Sequence, residues 1–227
     1  MESSYLQVLT ILTYVVLVAN LVPFLILVPG FSRHRREIRW LTAFLALSFF
    51  TDLTSAIFYD LLEINPNYIN HLFRLFGIAL ISPFFYYAVG WRRIKKPLIF
   101  VNLIYLVFVV TNLLYIQKIG EINTYTQALL SLIILALCIT FFYKLLKELP
   151  AQQIHKLALF WIVSGFFLSY AGKFVIYTVT QYMTEIQGDK LEVVWIFHNI
   201  LTLIGYSLIT IGVYINRRSE SLTTSAF

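Results

Sequence analysis

Apolar residues fall in seven long runs separated by short polar breaks, at residues 5–29, 39–62, 69–90, 97–116, 124–146, 157–183 and 193–215. Each is close to the ~20 residues an α-helix needs to cross a bilayer. Within lipid a backbone must satisfy its own hydrogen bonds, so runs of this length are predicted to be helices. The pattern therefore predicts an all-α, polytopic membrane protein, a seven-transmembrane-helix bundle forming one domain over residues 1–227. Composition agrees: 59% of residues are hydrophobic and 12% charged, against roughly 25% charged in a soluble domain. The mean hydropathy of +0.80 is spread along the chain, which also excludes a soluble enzyme on a single anchor. Met1 to Tyr5 supplies no basic n-region and no small-x-small site follows, so the first run reads as a retained helix and not as a signal peptide.

The basic residues orient the bundle. Arg33, Arg35, Arg36 and Arg39 follow the first run, and Arg92, Arg93, Lys95 and Lys96 follow the third. Lys144, Lys147 and Lys156 surround the break after the fifth, and Arg217 and Arg218 follow the seventh. These make 13 of the 17 Lys and Arg residues. The alternate breaks carry Lys118 and Lys190 among Asp60, Glu63, Glu121, Glu185, Asp189 and Glu192. The expected topology has the N-terminus outside and the C-terminus inside. Trp40, Trp91 and Trp161 then fall at the inner boundary and Trp195 at the outer one, where indoles anchor. The net charge of +6 is thus a topology signal, and no nucleic-acid partner is expected.

Ionisable side chains inside a bilayer cost about 3 kcal/mol each on insertion scales and commonly mark function. Four stand out: Asp52, Arg74, Lys173 and His198. At about 1.5 Å per residue from each inner helix end, Asp52 sits roughly 18 Å up and the others roughly 22 to 24 Å up. Helical spacing extends each position into a face: Ser48, Asp52, Ser55 and Tyr59; His71, Arg74 and Gly77; Tyr170, Lys173 and Tyr177; Trp195, His198, Thr202 and Tyr206. Asn112, Gln127 and Ser131 could add to them. The expectation is a tyrosine-rich polar pocket in the outer half, with Asp52, Tyr59, Arg74, Tyr170, Lys173, Tyr177, Trp195 and His198 as its ligand-binding residues. The structural alternative is that these groups only satisfy one another, with Arg74 snorkelling to the headgroups. Gly165, Ser169 and Gly172 form a small-residue face for close helix approach. Pro83 predicts a kink in the third helix.

Most chemistries find no support. Cys138 is the only cysteine and lies in an apolar run, so neither a disulfide nor a thiolate metal site is expected. Of four histidines, His34 and His155 fall in inner breaks, leaving too few for a zinc site. No HExxH or GxSxG signature occurs. No catalytic residue, metal or cofactor is assigned. Arg74 with Ser82 and Pro83 resembles the third helix of microbial rhodopsins, but Gly77 stands where an acid is expected and the seventh run has no lysine. A sugar-carrier or PQ-loop repeat finds only an echo, in the Arg-Arg pairs after runs three and seven.

In the second half, Asn123-Thr-Tyr-Thr-Gln-Ala-Leu, Phe142-Tyr-Lys-Leu-Leu-Lys-Glu-Leu-Pro150, Phe160-Trp-Ile-Val-Ser-Gly-Phe with Tyr170 and Gly172, and Ile196-Phe-His-Asn-Ile resemble a family of small bacterial seven-helix proteins without assigned function. These are similar to membrane sensor regions of bacterial signalling proteins. The resemblance covers about Glu121 to Tyr214 and implies a sensor or receptor-like protein of a bacterial inner membrane, surrounded by the lipid bilayer and binding a small ligand or proton. Twelve residues after Ile215 are too few for a kinase or cyclase, so a signal would pass to a separate protein through Arg35, Arg36, Arg92 and Arg93. Two alternatives stand beside it. One is a small-solute or proton-coupled transporter, for which Asn20, Asn102, Tyr105 and Tyr143 offer only a thin inner polar route. The other is a structural subunit of a membrane complex.

Overall fold

The structure, a computed structural model, describes residues 2–117, 120–148, 154–186 and 191–224. Lys118, Asp189 and Lys190 lie outside the described residues, as do the side chains of Glu185 and Glu192. The seven runs become seven helices: α1 (Glu2–Leu27), α2 (Arg36–Asp60), α3 (Asn67–Val89), α4 (Lys95–Thr111), α5 (Thr124–Glu148), α6 (Ala158–Ile186) and α7 (Leu191–Thr224). All are long and apolar enough to cross a membrane, α4 together with its flanking turns. The boundaries depart from the apolar runs in a systematic way, because hydropathy marks the lipid-spanning part and a helix continues as far as its backbone can be satisfied. α7 accordingly runs nine residues beyond Ile215, taking in Arg217 and Arg218. α4 ends in a π-helical turn, Asn112–Ile116. α3 passes through Pro83 as one continuous helix and stops at Gly90, whose φ of 68° is cheap only for glycine.

The helices do not form a ring of seven. α1, α2, α3, α5, α6 and α7 pack in that cyclic order, α7 closing on α1, and α4 lies against the groove between α3 and α5. α4 buries only Leu98, Tyr105 and Val109, while Phe100, Leu103, Val107 and Leu114 are exposed, as a lipid-facing surface requires. The tightest seam joins α6 to α7. A Cβ on Gly165 would lie 2.5 Å from the Gly205 carbonyl oxygen, and one on Gly212 would lie 2.6 Å from that of Ala158. The small-residue face expected on α6 is thus met by a matching one on α7, and the backbones touch where side chains are missing.

The basic breaks gather at one end of the bundle. There Lys144 Nζ lies 3.5 Å from the Ala88 carbonyl oxygen, Arg217 Nη1 donates to the Ile26 carbonyl at 3.4 Å, and Trp91 Nε1 donates to Glu148 at 2.6 Å. At the opposite end Tyr14 donates to Asp60, and Asn65 and Asn67 both donate to the Gly120 carbonyl.

Candidate functional site

In the third of the bundle nearest the basic end the core is aromatic. Phe166 of α6 meets Phe44 of α2 at 5.6 Å between ring centroids, and meets Phe84 and Phe85 of α3 at 5.7 and 6.1 Å. All four rings are buried. They form a plug between α2, α3 and α6, bringing α2 and α6 together although neither packs along the other. Tilted rings at these separations interlock and leave little space for water.

On the side of the plug away from the basic end lies a cluster of polar side chains, the cup. Asn20 Nδ2 of α1 donates to Ser48 Oγ at 3.1 Å and to Asp52 Oδ2 at 2.9 Å, both on α2. Ser48 Oγ shares a hydrogen bond of 3.0 Å with the Tyr206 hydroxyl of α7. Lys173 of α6 interacts electrostatically with Asp52, with Arg74 and with His198, and its ammonium lies 4.9 Å from the Tyr170 ring centroid. Tyr177, Trp195 and His198 form an edge-to-face triangle with centroids 5.4 to 6.0 Å apart. Arg74 lies over the Tyr177 ring at 5.9 Å. Seven of the eight predicted ligand-binding residues therefore converge: Asp52, Arg74, Tyr170, Lys173, Tyr177, Trp195 and His198.

Tyr59 is the exception. It is 68% exposed, so the helical face that begins at Ser48 has turned away from the bundle by the end of α2. Arg74 is also corrected as a snorkelling residue. It is 5% exposed, and its Nε donates to Gln127 Oε1 and its Nη1 to the Asn70 carbonyl, both at 3.0 Å. Gln127 turns it inward, toward α5 and Tyr177. Asp52 and Lys173 are near but not joined, since the described ion pairs, Arg35 with Glu37 and Lys144 with Glu148, both lie at the basic end.

The sequence pattern puts Asn20 on the inner polar route, yet it bonds Asp52. The helices do not start level. Asn20 is abreast of Ser48, seven residues from the end of α1 at Leu27 but twelve from the start of α2 at Arg36. α1 therefore ends about 8 Å short of the start of α2.

Beside the cup a second polar network joins α3, α4 and α5. Asn123 Nδ2 lies 2.7 Å from His71 Nδ1, and because an amide nitrogen only donates, that ring nitrogen accepts and Nε2 carries the proton. Asn123 Oδ1 accepts from Thr126 and from Asn112 Nδ2, which also donates to Gln117, which in turn donates to Thr124 at 2.8 Å. Sequence patterning missed Gln117 and Asn123 because they sit in the break before α5, where polar residues are unremarked. Their signal was the number of amides on both sides of one short break.

Several buried polar atoms have no hydrogen-bond partner among the described residues. Asn20 Oδ1, Ser55 Oγ, His198 Nδ1 and Thr202 Oγ1 border the cup, and His71 Nε2 and Asn112 Oδ1 belong to the second network. Ser55 is one turn from Asp52, and Thr202 one turn from His198. Such groups are few in native proteins, and a bound water or ion is one of the usual reasons for them.

At the basic end Arg35, Arg92 and Arg93 are exposed, and Arg36 lies over the Tyr87 ring at 5.8 Å. A cavity of about 470 Å³ opens there, lined in part by Arg35, Lys144 and Lys156. Among the described residues, no three His, Cys, Asp or Glu side chains come close enough to share a metal ion. Comparison with protein-family models, curated proteins and solved structures gives no match.

Proposed function

We propose that the protein is a seven-helix sensor of a bacterial inner membrane, N-terminus outside and C-terminus inside, that binds a small polar ligand in the cup and signals through a separate protein at the basic end. The observation that carries this reading is the cup itself. Charged and orphaned polar groups from five helices converge above the aromatic plug, so a ligand entering from the outer side would stop there. The basic loops support the orientation, and the exposed Arg35, Arg92 and Arg93 supply the face for a partner. A transporter would need polar groups through the plug layer, which is filled instead by Phe44, Phe84, Phe85 and Phe166.

The test is thermal stability of the purified protein in nanodiscs across a panel of metabolites, for wild type and Lys173→Met. Saturable stabilisation of wild type that is lost in the variant supports sensing at the cup. Solute uptake into proteoliposomes driven by a pH gradient and abolished by Asp52→Asn would replace sensing with transport. Orientation is read separately in a Cys138→Ala background: an impermeant maleimide applied to cells should label Asn65→Cys and spare Ser219→Cys.

A further inference from the structure

The chemical class of the ligand follows from an imbalance of charge in the cup. Two cations, Arg74 and Lys173, face one carboxylate, Asp52, among the described residues. Asp52 already accepts from Asn20 and faces Lys173. Arg74 is the more buried cation, and among the described residues its partners are neutral: the Gln127 amide oxygen, the Asn70 carbonyl and the ring and hydroxyl of Tyr177. A guanidinium taken out of water without a counter-charge is strongly destabilised, and its planar fork is shaped to receive two oxygens of one oxyacid. The two cations lie against neighbouring rings of one face of α6, Lys173 4.9 Å from the Tyr170 centroid and Arg74 5.9 Å from that of Tyr177, so an anion between them would offset both charges. The hydroxyls of Ser55 and Thr202, buried without partners, can donate to further ligand oxygens.

We infer that the cup is an anion site, taking the carboxylate or phosphate of a small ligand between Arg74 and Lys173, with Tyr177 and Trp195 as its aromatic wall. This rests on the sensor reading and names its ligand class. The oxyanion has two conceivable sources, a soluble acid or the headgroup of an anionic lipid, and the two share the same recognition chemistry.

Trp195 reports on the site directly, because its ring contacts both Tyr177 and His198. With Trp40, Trp91 and Trp161 replaced by Phe it becomes the single indole of the chain. That protein, in phosphatidylcholine nanodiscs, is titrated with acetate, succinate, citrate and inorganic phosphate, and in parallel with succinamide and putrescine as neutral and cationic counterparts. The expected result is a saturable change in Trp195 emission with at least one anion, weakened about tenfold or more in Arg74→Gln and Lys173→Gln. Arg74→Lys, which keeps the charge, provides a second variant should Arg74→Gln fail to fold, and it should bind more weakly than wild type but better than Lys173→Gln. Nanodiscs containing phosphatidylglycerol separate the sources: emission already shifted there, and no longer responsive to soluble anions, identifies a lipid headgroup. Response to succinamide or putrescine and to no anion would overturn the anion inference and leave the sensor reading standing. Anion binding unchanged in both charge-removing variants would also overturn it. Silence across the whole panel in both lipid compositions would end both.

Discussion

Replacing Gly165 by alanine adds one methyl group at the closest point of the α6–α7 seam. That Cβ would stand 2.5 Å from the Gly205 carbonyl oxygen, 2.7 Å from Ile209 Cγ1 and 3.0 Å from the Ile209 nitrogen. Two of these three are backbone atoms of α7 and cannot rotate away. Ordinary contact begins at 3.4 Å, so α7 must withdraw by roughly 0.9 Å. The withdrawal is shared along the seam, because Gly205 and Gly212 meet α6 as closely. A gap of 0.5 to 1 Å removes about a quarter to a half of each dispersion contact it opens. Overpacking typically costs about 1 to 3 kcal/mol; the backbone position of the clash puts this change at the upper end, and subtracting the up to about 1 kcal/mol that alanine gains over glycine in a helix leaves about 2 kcal/mol. Gly77→Ala is the matched control. Its Cβ would meet the Phe73 ring at 3.5 Å, ordinary contact, and alanine is favoured over glycine in a helix by up to about 1 kcal/mol. Cys138 supplies the assay, being the only cysteine, fully buried, with its thiol 3.8 Å from the Val163 carbonyl of α6. Maleimide labelling in mixed micelles then tracks opening of the bundle. Gly165→Ala should label about 30-fold faster than wild type, the equivalent of 2 kcal/mol, while Gly77→Ala labels no faster. Comparable labelling of Gly165→Ala and wild type, or equal acceleration in both variants, would refute the close-approach argument.

Three further outcomes follow from single contacts. Asn20→Leu removes the donor shared by Ser48 and Asp52 and should destabilise by about 1 to 3 kcal/mol, read as a lower melting temperature; an unchanged melting temperature would show that Asp52 does not depend on this amide. Phe166→Ala takes out the ring touching Phe44, Phe84 and Phe85, with a cost of about 3 to 5 kcal/mol and a measurable small-ion leak in liposomes. A variant as tight as wild type would mean that the plug does not close the bundle. Tyr59→Phe, at an exposed position outside the cup, should lie within about 0.5 kcal/mol of wild type and leave the Trp195 anion response intact; loss of that response would return Tyr59 to the site.

What the sequence determined by itself is whatever depends on local free energies of transfer. Each run of about 20 apolar residues is favourable in lipid regardless of its neighbours, so the seven helices could be read directly from the chain. The Gly165, Ser169 and Gly172 face was equally legible, since a small-residue stripe has few other uses in lipid. Inward-facing charges were legible too: Asp52, Arg74, Lys173 and His198 are expensive anywhere but in the interior, and they do meet there. The remainder required the tertiary structure, because it concerns relations between helices that hydropathy cannot encode. Between its ends α4 is apolar on nearly every face, Asn102 apart, and nothing local could say that α3 and α5 would touch and leave it outside their groove. Phenylalanines serve lipid contact and core alike, so the plug was invisible until Phe44, Phe84, Phe85 and Phe166 came together. The same holds for depth and facing. Asn20 reaches Asp52 because α1 ends above the start of α2, and Tyr59 leaves the cup because it falls on the uncovered side of the end of α2. Insertion is decided helix by helix, whereas the offset and rotation of each helix are decided by packing against the others.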